Sequence, residues 1–69
     1  MIDNQDIQYF KDYGMNVYTK EEGTYEFLIL ENNNKELPIS DEFIGVIQER
    51  GYTVSWVNFE KRQIAFTKE

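Results

Sequence analysis

The sequence has no cysteine and no histidine, one proline and four glycines in 69 residues. Without cysteine there is no disulfide to staple the chain, and without Cys or His no ordinary zinc site can be built. Nucleophilic catalysis through Ser–His or Cys–His pairs is excluded on the same ground. Positive charge is also scarce. Seven Lys and Arg face thirteen Asp and Glu, a formal net charge of -6. Binding to nucleic acid or to an anionic membrane surface needs basic side chains to neutralise phosphate, so neither is expected. Long apolar runs are missing as well. The longest is Phe27-Leu28-Ile29-Leu30, a strand's worth rather than the roughly 20 residues of a membrane-spanning helix.

What is present describes a folded domain. Apolar residues make up 41% and aromatic residues 16%, too rich a mixture for a disordered acidic tail. A chain this short builds one core, so residues 1–69 are read as a single domain. The opening Met1-Ile2-Asp3-Asn4-Gln5-Asp6 is acidic where a signal peptide is basic, which makes the cytoplasm the expected location.

Helix signals occur twice. Asp3 caps a first helix with Asp6 three residues on, in an acidic version of the capping-box spacing. Ile7, Phe10 and Tyr13 recur at helical spacing before Gly14. The second helix follows Pro38-Ile39, with Ser40 as cap and Asp41 and Glu42 at the positive end of its dipole. Arg50 lies at the negative end before Gly51. Its buried stripe is Phe43, Ile44, Val46 and Ile47. Gly45 inside this helix points to a close contact with a neighbouring element.

Each helix is followed by two strand signals. Met15 to Lys20 and Thr24 to Glu31 flank Glu21-Glu22-Gly23, while Tyr52 to Phe59 and Arg62 to Lys68 flank Glu60-Lys61. Both read as hairpins. Between the halves lies the polar loop 32–37. At an offset of 37 residues, Ile2 falls on Ile39, Ile7 on Ile44, Gly14 on Gly51 and Val17 on Val54. Phe27 falls on Ile64 and Ile29 on Phe66. The chain is therefore read as a tandem repeat, αββαββ, with units 1–31 and 38–69.

This order is the ferredoxin-like order with its first strand moved to the end. The expected fold is α+β: a four-stranded antiparallel sheet, strand order 3-4-2-1, with two helices on one face. The order places the apolar segment Tyr25 to Leu30 centrally and not on an edge, where it would invite aggregation. Alternation then sends Val17, Tyr25, Phe27, Ile29, Val54, Trp56, Ile64 and Phe66 toward the helices. The open face receives Tyr18, Leu28, Leu30, Val57 and Phe59, an apolar set expected to form a protein interface.

Carboxylates are the only abundant catalytic groups. The pairs Asp3/Asp6, Glu21/Glu22 and Asp41/Glu42 are explained by helix-dipole complementarity and a solvated turn. No catalytic residue is assigned. No D-x-[DN]-x-[DN]-G loop offers a calcium site, and no glycine-rich phosphate cradle occurs, so no metal or cofactor is expected. Arg62-Gln63-Ile64-Ala65-Phe66 resembles the RNP1 strand of RNA-recognition motifs, [KR]-G-[FY]-[GA]-F. It lacks the glycine and the first aromatic, and the acidic surround is wrong for stacking RNA. The segment is read as a core strand.

The expected function is a non-enzymatic protein-interaction domain that pairs with itself as a homodimer, or with another protein, through the open sheet face or an edge strand. The alternative is an acidic inhibitor of phage or mobile-element type, imitating nucleic acid and binding a basic enzyme or repressor.

Overall fold

The computed structural model describes residues 2–32 and 40–68. The expected linker and the Pro38-Ile39 approach to the second helix fall mostly outside them. In chain order the elements are α1 (Asn4–Asp12), β1 (Asn16–Glu22), β2 (Tyr25–Glu31), α2 (Asp41–Glu49), β3 (Thr53–Asn58) and β4 (Gln63–Lys68). The fold is α+β, and all strand pairs are antiparallel in the order β1-β2-β4-β3. That is the expected 3-4-2-1 order read from the other edge.

Local chemistry sets the helix ends. The Asp3 carboxylate accepts from the Gln5 N–H, and the Ser40 hydroxyl accepts from the Phe43 N–H, each satisfying an otherwise orphaned first-turn donor. Both helices close in the same way. Gly14 and Gly51 adopt φ of 91° and 92°, the left-handed region glycine enters without steric cost. Gly14 donates to the Lys11 carbonyl and Met15 to that of Phe10; Gly51 donates to Gln48 and Tyr52 to Ile47. These are two Schellman closures, each bringing the residue after glycine over an apolar side chain of the last turn.

The core lies between the helices and one face of the sheet. Phe10 from α1, Phe43 and Ile47 from α2, Leu28, Leu30, Ile64 and Phe66 from the central strands, and Met15 and Tyr52 from the helix–strand junctions form it. Val17, Ile44 and Val57 pack at its margin. Among the described residues nothing lies within 4 Å of where a Cβ on Gly45 would sit. This corrects the packing reason expected for it.

The face of β2 is the main correction. Leu28 and Leu30 are fully buried beneath the helices, whereas Tyr25, Phe27 and Ile29 point the other way. The turn explains the inversion. Glu22 pairs with Tyr25 across a two-residue connection, Gly23-Thr24, with Gly23 at φ 63°, the geometry that begins a type II′ hairpin. A three-residue connection over 21–23 would set Lys20 opposite Thr24 instead of Phe27, a shift of three, and any odd shift exchanges the two faces.

The halves also differ in β3. Val54 pairs with Phe66 and Trp56 with Ala65, leaving Ser55 as an extra residue in a bulge. A bulge reverses the side-chain phase beyond it. The correspondence between halves therefore holds from the helices through Val17 and Val54, and the faces part company after that. Val57 lies on the helix side, and Trp56 on the open side.

Candidate functional site: the open sheet face

The face of the sheet away from the helices can be built from the pairing register. Across the strand order, one row reads Tyr18–Ile29–Ala65–Trp56. On one side of it runs Lys20–Phe27–Thr67–Thr53, and beyond Phe27 lies Tyr25 opposite Glu22. On the other side runs Asn16–Glu31–Gln63–Asn58. The middle row is apolar from edge to edge, and the flanking row is made of amides and a carboxylate. Tyr18, Tyr25 and Trp56 remain 48%, 46% and 40% exposed, while Ala65 at the centre is fully covered. A depression of about 70 Å³ opens here, lined by Lys20, Glu22, Phe27, Ile29 and Trp56.

The polar row is tied together through Glu31. Its carboxylate accepts from the Gln63 amide at 2.6 Å, the Tyr18 hydroxyl at 3.3 Å and the Asn16 amide at 3.5 Å. The negative charge of Glu31 beside it raises the Tyr18 phenol above its ordinary pKa. Glu22 lies 3.5 Å from the Lys20 ammonium. These two are the only acidic side chains at open-face strand positions among the described residues, and both are paired there. Aromatic enrichment with few charges and a polar rim is the composition of an interface core.

Of the expected interface residues, only Tyr18 stands on this open face. Leu28 and Leu30 are core residues and Val57 faces the helices. Phe59 is 73% exposed but belongs to the β3–β4 turn. Phe27, Ile29, Tyr25 and Trp56, assigned by the sequence to the core, take their place. Phe66 of the RNP1-like segment is fully buried toward the helices, so β4 presents Gln63, Ala65 and Thr67 outward and no stacking ring.

The expected carboxylate pairs are separated by their surroundings. Asp3 caps α1, while Asp41 and Glu42 sit in the first turn of α2. Asp6 does not reach back to complete a capping box. It is buried and accepts from the Arg50 guanidinium at 2.7 Å and the Tyr52 hydroxyl at 2.9 Å. Arg50 also lies over the Tyr9 ring, 4.3 Å from its centroid. Burial, then the bond to Asp6, pushes the Tyr52 phenol far up. The sequence hid this network because each member has an innocent local role: first turn, helix C-terminus, strand approach.

Clefts also open on the helix side. One of about 520 Å³ runs between the start of α1 and the β1–β2 hairpin. There Glu26 accepts from the Ile2 N–H at 2.9 Å, a bond that, with Lys68 nearby, holds its carboxyl below the usual range. Another, of about 190 Å³, lies between the helices beside Tyr9, Tyr13 and Phe43. Among the described residues no group of three or more Asp and Glu is placed to hold a metal ion, and no helix is long and apolar enough to cross a membrane. No family model matches the sequence, and comparison with curated proteins and with solved structures returns no match.

Proposed function

We propose that the chain is a non-enzymatic protein-interaction domain whose contact surface is the open sheet face. One observation carries this reading: Tyr18, Tyr25, Phe27, Ile29 and Trp56 gather on a face that neither helix covers. Large apolar side chains scattered singly over a surface are ordinary, but a contiguous set with a hydrogen-bonded polar border is a binding patch. The helix side has already buried its own apolar stripe, so these five side chains are surplus to the core.

The reading separates binding from stability. Replacing Tyr25 or Trp56 with Ser is expected to change unfolding free energy by less than about 1 kcal/mol, as for surface positions generally. The double variant is expected to lose the proteins that the wild-type chain captures by cross-linking in the cell it comes from. If the two substitutions instead cost several kcal/mol and leave the captured set unchanged, the aromatic residues serve the fold and the proposal fails.

A further inference from the structure

Building on that reading, we infer that the occupant of the open face is a second copy of this chain, related by a two-fold axis that runs along the strands between β2 and β4. Three observations point to it.

The first is charge. Two copies, each with a net charge of -6, repel, so they approach most easily through the surface that carries least of it. Asp3, Asp6, Asp12, Asp41, Glu42 and Glu49 belong to the helical layer, and Glu21 and Glu26 to the helix side of the sheet. Among the described strand residues, only Glu22 and Glu31 share the open face, each already paired. Face-to-face packing turns both acidic layers outward.

The second is area. Four strands about 4.8 Å apart, six or seven residues long at about 3.3 Å each, make a face of roughly 400 Å² in plan. Two such faces join about 800 Å² before side-chain relief is counted, which brings the total to the neighbourhood of the ~1,000 Å² a specific interface needs.

The third is self-complementarity. Rotation about an axis along the strands lays β1 over β3 of the second copy and β2 over β4. Ile29 then faces Ala65, Phe27 faces Thr67, Tyr18 faces Trp56, Lys20 faces Thr53, and Glu31 faces Gln63. Ile29 and Phe27 of β2 each meet a smaller residue, the arrangement by which facing layers interdigitate. Lys20 and Glu31 each meet a neutral hydrogen-bonding partner. The other in-plane axis, across the strands, lays β1 over β1 and β4 over β4. It stacks Trp56 on Trp56 and leaves Ala65 facing Ala65 across a gap. The first axis makes an isologous, closed contact without these conflicts.

The test uses the full chain. Light scattering at about 100 μM, above the dissociation constant of a micromolar dimer, is expected to give twice the single-chain mass. Dimer content should rise with salt as repulsion is screened. Trp56→Lys, and separately Tyr18→Lys, should return the single-chain mass with unchanged far-UV circular dichroism. Because the protein has no cysteine of its own, orientation can be read directly. Pools carrying Asn16→Cys and Asn58→Cys, mixed and treated with a bismaleimide of about 10 Å, the spacing of facing sheets, should cross-link between pools and not within either. A single-chain mass for the wild type overturns the inference. So does a dimer indifferent to both lysines, or cross-linking within one pool. If the wild type is a monomer but the Tyr25/Trp56 serine variant still loses its captured proteins, the face binds a different protein and only the second copy is wrong. If that capture is also unaffected, the interaction reading fails with it. An acidic mimic of nucleic acid would show the opposite salt response, releasing its basic partner as salt rises.

Discussion

Asp6 is the residue on which the two halves of the chain meet. At the 37-residue offset its counterpart is Phe43, which enters the core directly. Asp6 is equally buried but brings a charge, and a buried charge persists only when paired and hydrogen-bonded. Arg50 and Tyr52, both from the second half, supply those bonds. Asp6→Ala strands a guanidinium and a phenol together. We expect a loss of about 1–3 kcal/mol in chemical denaturation, the usual cost of an orphaned polar group. The figure stays moderate because the Arg50 side chain is 35% exposed and can recover water.

The same contact fixes an alkaline limit. The folded chain holds the Tyr52 proton above the ordinary phenol pKa of about 10, whereas the unfolded chain releases it there. Stability is therefore fully present below pH ~10 and falls as pH climbs toward the folded value. Following phenolate absorbance, Tyr52 should ionise only with unfolding, and Tyr52→Phe should flatten the loss of stability above pH ~10.

At the level of elements, two glycines of the α2 region play opposite parts. Gly51 sits at φ 92° with a Schellman closure around it, and a Cβ there would meet the Lys68 side chain at 3.7 Å. Gly51→Ala should cost about 1 kcal/mol or more through the left-handed backbone. Gly45 lies in the middle of α2, with open space where a Cβ would go. Gly45→Ala should raise stability by up to about 1 kcal/mol, the difference in helix propensity. Thermal melts of the two variants should move in opposite directions.

The elements also show what could be read in advance. Asp3, Ser40, Gly14 and Gly51 mark the helix ends by side-chain chemistry that acts within one turn, and these were legible. Strand order was legible too, because the order 3-4-2-1 gives the most apolar strand a neighbour along both edges. The face of β2 was not. Phe27-Leu28-Ile29-Leu30 is apolar at every position, so alternation has no phase to offer. The phase depends on whether two or three residues make the turn. The correspondence of Phe27 with Ile64 and Ile29 with Phe66 carries no phase either, because the bulge at Ser55 reverses it in the second half. The candidate face was therefore foreseen as a surface, with Tyr18 as its one correctly placed member. Counting the turn as Gly23-Thr24 from the Val17 end is the signal that recovers Phe27 and Ile29.

For the whole molecule, the sheet divides labour between its faces. Leu28, Leu30, Ile64 and Phe66 hold the helices, while Tyr18, Ile29 and Trp56 remain outside. If the outer face binds as proposed, stability and recognition draw on different side chains of the same strands. Covering the outer face would also relieve the weakness of a small domain, whose single core leaves little margin.

The strand order has a consequence for how the chain reaches this state. Each half contributes a helix and a hairpin, but the seam of the sheet, β2 on β4, joins residues as far apart as Leu28 and Phe66. Local hairpins can close early, whereas the seam waits for a long loop to close. Neither half has a finished core without it, so folding is one event and not two in succession. Urea unfolding followed by Trp56 fluorescence, which reports β3, and by far-UV circular dichroism, which reports both helices, should therefore trace a single coincident transition. Separate midpoints would mean that one half can stand without the other.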